Sequence, residues 1–157
     1  MKPRILPLDD LMVKLEGEHD EVCYDIRKVE AELQNSDLEK AGEDLRNIVG
    51  IISQHTIDEQ RSLLGFLIQK LGRDKSDSYI EVVRGHVEIM NSLKRIIMSV
   101  NGGESLTLAD LEGLRAILLQ QFDKEQQLFR EAADLMDSNS KAQIDEEIDR
   151  YENEGGR

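Results

Sequence analysis

Six side chains that would ordinarily face solvent fall in the apolar register of this chain: His19, His55, Glu59, His86, Gln121 and Glu125. They include all three histidines. Imidazole nitrogens and carboxylate oxygens are the donors that hold iron, manganese or zinc inside a helical core. His55 and Glu59 stand at i and i+4, so a helix would present both on one face, and Gln121 and Glu125 repeat that spacing. A carboxylate can bridge two metal ions while imidazoles complete the outer positions. Leaving such groups buried and unpaired is costly. Either a metal or a mutual hydrogen-bond network must compensate them.

The elements that would position these residues are long amphipathic helices. One seam runs Leu8, Met12, Leu15, His19, Val22, Ile26, Val29, Leu33, in steps of three and four, and Asn35-Ser36 stops it. Pro7 suits the first position of this helix, with Asp9 and Asp10 in its first turn. A second seam runs Leu38, Ala41, Leu45, Ile48, Ile52, His55, Glu59, Ser62, Phe66, and ends in the stretch from Gly72 to Ser76. Ser76 or Asp77 can cap the third helix, whose seam is Tyr79, Val82, His86, Ile89, Leu93, Ile96, Val100. Asn101-Gly102-Gly103 breaks it, and Thr107 with Asp110 resembles a capping box. The fourth seam is Leu111, Leu114, Leu118, Gln121, Glu125, Leu128, Ala132, Leu135. Asp137-Ser138-Asn139-Ser140 is expected to close that helix. A short fifth one would follow, with Ile144, Ile148 and Tyr151 on one side and acids on the other. Gly155-Gly156-Arg157 should fray.

The short connections favour antiparallel neighbours. The fold expected is all-α: an up-down-up-down four-helix bundle over residues 1–136, then an acidic C-terminal helix and tail over 137–157. Counting residues from the connections places the polar groups at one depth. His19 lies about 16 residues before Asn35, His55 about 18 beyond Asp37, and His86 about 15 before Asn101. Gln121 and Glu125 lie about 15 and 19 beyond Leu106. At ~1.5 Å per residue these levels agree to within about one turn. Four seams thus deliver their polar residues to one layer.

Composition sets outer bounds. The 157 residues suit one domain with one core. Lys and Arg total 20 against 33 Asp and Glu, a net charge of −13 that repels nucleic-acid backbones. No apolar run reaches the ~20 residues of a membrane span, and the N-terminus lacks the apolar stretch of a signal peptide. A cytoplasmic location is the expectation. Cys23 is the only cysteine, which rules out an internal disulfide. It lies one turn after His19 but reads as a small buried hydrophobe. Met90 reads as packing. Gly17 and Gly85 lie close to His19 and His86, leaving either room for a ligand or slack between helices.

On these residues the chain resembles the hemerythrin family in its broad form, the HHE cation-binding domains. The resemblance covers roughly residues 8–136. It is carried by EHDEV around His19, QHTIDEQRSLLGFL around His55 and Glu59, RGHVEIM around His86, and QFDKEQQLF around Glu125. It implies a non-haem di-iron site inside an antiparallel bundle. Glu59 and Glu125 would be bridging carboxylates, His19 and His55 terminal ligands of one iron, and His86 a ligand of the other. Two positions depart from the family pattern. Gln121 stands where the fourth helix normally offers histidine, and Met90 where many members carry a second histidine on the third helix. Both departures fall on the same iron, where Gln121 could coordinate only weakly through its amide oxygen.

The function this implies is binding or sensing of dioxygen, nitric oxide or peroxide, in preference to enzymatic turnover. A sensor without an output domain would need a partner chain, for which the acidic C-terminal helix is the candidate contact. Two alternatives stand beside it. One is a small di-iron carboxylate oxidase or iron-handling protein, and the other a metal-depleted interaction module.

Overall fold

The computed structural model describes residues 1–72, 76–102 and 108–155, with side chains described over 1–72, 77–102 and 108–138 and at 148 and 150. Helix α1 spans Leu8–Gln34. Pro7 stands one position outside it as the N-cap, and its carbonyl accepts from Leu11 N at 2.9 Å. Asp9 and Asp10 occupy the first turn, where their charge meets the positive end of the helix dipole. The other end closes with Ser36 in the left-handed region, at φ 59°. Ser36 N donates to Leu33 O (3.0 Å) and Asp37 N to Glu32 O (2.8 Å), the paired bonds of a Schellman stop. Asp37 then caps α2, Leu38–Asp58, its side chain accepting from Lys40 N at 3.3 Å.

The second long segment is not uniform. After α2 comes a π-helical turn, Glu59–Leu63, and then α3, Leu64–Leu71, which ends at Gly72 with φ 71°. Leu64 N donates to Glu59 O, five residues back. That wider turn takes in one extra residue and rotates everything beyond it. An unbroken helix would bury Ser62 and Phe66, as the three-and-four spacing predicts. Here Leu63, Leu64 and Leu67 are buried instead, while Ser62 and Phe66 are only partly covered.

Helix α4 spans Ser76–Asn101 and buries Tyr79, Val82, His86, Ile89, Leu93, Ile96 and Val100, the predicted seam without change. Helix α5 spans Leu108–Gly155. It runs through Asp137-Ser138-Asn139-Ser140 without a break, so the expected stop and separate short helix give way to one continuous helix. These four residues are weak helix formers, at roughly 0.5 kcal/mol each against Ala, but none is the Gly or Pro that ends a helix outright. Ile148 is half exposed. The capping roles of Thr107 and Ser76, the side chains of Ile144 and Tyr151, and the last two residues lie outside the described residues.

Helix α1 packs on α2 and α5, α4 on α2 and α5, and no strand occurs among the described residues. The interior divides into two apolar clusters. One joins Val22, Ile26 and Val29 of α1 to Ala41–Ile52 of α2, Ile89–Val100 of α4 and Leu111–Leu118 of α5. The other joins Leu11, Met12 and Leu15 to Leu63, Leu64 and Leu67, Tyr79 and Val82, and Leu128, Phe129 and Ala132. On every long helix the polar residues fall at the boundary between these clusters. No helix among the described residues is long and apolar enough to cross a membrane.

Candidate metal centre

Each helix contributes to the boundary layer for a local reason. On α1, His19 continues the seam between Leu15 and Val22. On α2, His55 sits one turn before Glu59, and the π turn begins at Glu59 itself. The wide turn lets the chain hold Glu59 inward and still return Leu63 and Leu67 to the core. Such π turns are frequent at functional sites. On α4, His86 occupies the seam between Val82 and Ile89. On α5, Gln121 and Glu125 lie one turn apart. All six residues predicted from sequence are buried and belong to this one layer, with Glu59 and Glu125 having no exposure at all.

The side chains form two groups that share Glu125. His19, His55 and Glu125 make one, and Glu59, His86 and Glu125 the other; within each group the ligand atoms lie within 4.8 Å of one another. Glu125 Oε2 is 2.6 Å from His19 Nε2 and 3.4 Å from His55 Nε2. Its Oε1 is 2.8 Å from His86 Nε2. Glu59 Oε2 is 3.0 Å from His86 Nε2 and 3.4 Å from His55 Nε2. All three histidines therefore turn Nε2 toward the two carboxylates. Two atoms of the cluster lack partners: Glu59 Oε1 and His19 Nδ1 are buried and unbonded. A buried carboxylate oxygen with no donor is costly. A cation beside Glu59 would satisfy it. The donor set of imidazole and carboxylate fits iron, manganese or zinc.

The electrostatics agree with a layer short of positive charge. Burial works against a charged His86, but hydrogen bonds to Glu125 and Glu59 outweigh it and push its pKa up to about 9. Burial likewise opposes charge on His55, and Glu125, Glu18 and Glu59 overcome it, raising the pKa well above the ordinary value. Glu125 is desolvated too, yet the three histidines hold its carboxyl well below the usual carboxylate range. Each Nε2 lies at hydrogen-bond distance from a carboxylate, where a proton would stand in the place of a metal, and metal binding would displace it.

A ring of residues behind the layer orients it. His55 Nδ1 donates to Glu18 Oε2 at 3.0 Å. This carboxylate–histidine pairing leaves Nε2 facing inward. The side-chain amide of Gln60 lies 3.2 Å from His86 Nδ1. The ring of His19 stacks on Phe122, with centroids 3.9 Å apart, and more distantly on Phe129. A cavity of about 10 Å³ lies against the layer, walled by Val22, Ile51, Ile52, Ile89, Leu118 and Phe122. That is room for about one water or a ligand of similar size.

Gln121 is 2 % exposed, and its amide nitrogen donates to Val82 O at 2.9 Å and to Glu125 Oε1 at 3.2 Å. The Val82 carbonyl fixes this orientation, because turning the amide over would set two oxygens against each other. Gln121 can therefore offer its oxygen to a metal only after giving up that bond. Gly85 has a clear purpose: a Cβ there would overlap Gln121 Oε1. Gly17 has open space beside it. Cys23 and Met90 pack against the apolar cluster of Val22 and Ile89, and burial pushes the Cys23 thiol up.

Sequence reading missed Glu18, Asp58, Arg4 and Gln60. Glu18 and Asp58 are legible in hindsight. Leu15, Glu18 and Val22 follow seam spacing, and Asp58 is one turn beyond His55. Arg4 carries no such signal, because it lies in an arm without periodicity. Comparison with protein-family models, with curated proteins and with solved structures gave no match to this chain.

Proposed function

We propose that this chain is a hemerythrin-like non-haem iron protein whose buried layer binds or senses a small ligand such as dioxygen, nitric oxide or peroxide. The observation that carries the reading is the pair of histidine–carboxylate groups joined through Glu125. His19, His55 and Glu125 Oε2 would hold one metal, and Glu59, His86 and Glu125 Oε1 the other. The unbonded Glu59 Oε1 supports it, since a cation there would satisfy a wholly buried carboxylate oxygen. The two apolar clusters support an up-down-up-down arrangement, because each joins opposite ends of successive helices.

Iron held there supplies open coordination positions and electrons for a small ligand. The chain's own residues do the rest. Glu18 fixes the ring of His55, Gln60 sets His86, and Gln121 donates to Glu125 from the side that lacks a second histidine. The apolar wall of Ile51, Ile52, Ile89, Leu118 and Phe122 keeps bulk water away and limits the ligand to a few atoms. With one imidazole where the other has two, the His86 half would be the weaker of the two.

A metal-free interaction module is the competing reading, favoured by one observation: each histidine Nε2 already bonds a carboxylate. Anaerobic reconstitution with ferrous iron, followed by exposure to dioxygen or nitric oxide, separates them. The expected result is bound iron and a new visible absorption band on exposure. No iron after reconstitution would overturn the proposal. Sustained turnover of peroxide or ferrous iron would assign an enzyme instead.

A further inference from the structure

The segment before α1 is not a loose arm. Arg4 reaches between α1 and α2 and makes three bonds to two buried acids. Its Nη1 is 2.6 Å from Glu18 Oε1, its Nε pairs with Asp58 Oδ2, and its backbone N–H donates to Asp58 Oδ1 at 2.7 Å. Gln54 Nε2 ties the arm down further, donating both to Lys2 O and to Asp58 Oδ1, each at 3.0 Å. Asp58 is wholly buried and Glu18 is 5 % exposed. Two carboxylates at that depth need a positive partner, and Arg4 is the cation that reaches both.

Both acids are placed where they govern the layer. Glu18 immediately precedes His19 in the chain, and its second oxygen holds His55 Nδ1. Asp58 immediately precedes Glu59, at the start of the π turn. A continuous chain of bonds therefore runs from Arg4 through Glu18 to His55, and a second path runs from Arg4 through Asp58 to the backbone carrying Glu59. Without the Arg4 guanidinium, Glu18 would keep only His55 as a partner, and Asp58 only Gln54 and the backbone N–H of residue 4. Glu18 would then be free to draw His55 away from the centre.

We infer that Arg4 is a positioning residue of the metal centre and that residues 1–7 form a strap that sets the His19–His55 half. The inference rests on the metal reading above. Arg4 touches no proposed ligand; it acts by fixing Glu18 and Asp58. A guanidinium suits the task because its planar fork can engage two carboxylates at once, which an ammonium does less well.

Cobalt(II) titration of the full chain tests this, with visible absorption and elemental analysis as readouts, on wild type, Arg4→Gln and Arg4→Lys. The expected result is that Arg4→Gln weakens one binding step by about 10- to 100-fold, the usual effect of losing an outer-shell partner, and the other step, reached only through the backbone between Asp58 and Glu59, by clearly less. The cobalt spectrum at saturation also shifts, and Arg4→Lys falls between the two. Should Arg4→Gln fail to fold, Arg4→Lys carries the comparison. Wild-type affinities and spectra in the substituted chains would overturn the strap while leaving the metal reading in place. Equal weakening of both steps, with an unshifted spectrum, would also overturn it, since that marks general loss of stability. A wild type that takes up no cobalt would overturn the metal reading and the strap together.

Discussion

The two oxygens of Glu125 face different groups, and this one side chain joins the two halves of the site. Its neighbours show how a buried carboxylate is kept ionised: three imidazoles and the amide of Gln121 surround it. Gln121 is the residue where the centre departs from symmetry. Its amide is occupied by Val82 O and Glu125, and Gly85 leaves the space in which it lies. Gln121→His should strengthen the Glu59–His86–Glu125 group by about tenfold or more, because a neutral imidazole is a far better donor to these metals than an amide oxygen. Isothermal titration with zinc would check it, and unchanged affinity for the weaker step would show that position 121 does not face the metal. The identities of His19, His55, Glu59, His86 and Glu125 were legible in the sequence because polar residues in a strict apolar register stand out. The residues behind them were harder to see. Glu18 and Asp58 sit at the margin of the seams, where acids are common, and Arg4 lies where no periodicity exists.

Among the elements, the joint between α1 and α2 and the π turn matter most. The stop at Asn35-Ser36 was legible; the structure adds that Asp37 caps the next helix. The cost of the stop was not. Ser36 adopts a left-handed conformation that suits glycine better. Ser36→Gly should stabilise the chain by about 1 kcal/mol, the left-handed penalty of a β-carbon less the extra freedom of glycine in the unfolded state. That is an increase of about 2–4 °C in the thermal midpoint, readable by circular dichroism. A lower midpoint would show that the Ser36 side chain contributes something the backbone geometry does not reveal. The π turn could not be read from spacing. Ser62 and Phe66 continue the three-and-four pattern, whereas Leu63 and Leu67 step by four and four from Glu59, a drift that the wider turn absorbs. The continuous α5 illustrates the opposite error. A run of Asp, Ser and Asn reads as a stop, but weak propensity without Gly or Pro does not end a helix that is already propagating.

For the molecule as a whole, the layer separates two apolar clusters that would otherwise be one core. Burying that layer costs stability: acids and imidazoles stand where leucines would pack at no electrostatic cost. The arm before α1 bonds Glu18 and Asp58 behind the layer through Arg4, contacts that the helices alone do not supply. The central claim is that two metal positions share Glu125. The most direct test is elemental analysis after anaerobic iron reconstitution of wild type, His86→Ala and Glu125→Gln. The prediction is about two ions per wild-type chain, about one in His86→Ala, and close to none in Glu125→Gln, the counts that follow from two groups with one common member. Wild-type loading in Glu125→Gln, or no metal in any of the three, would contradict it.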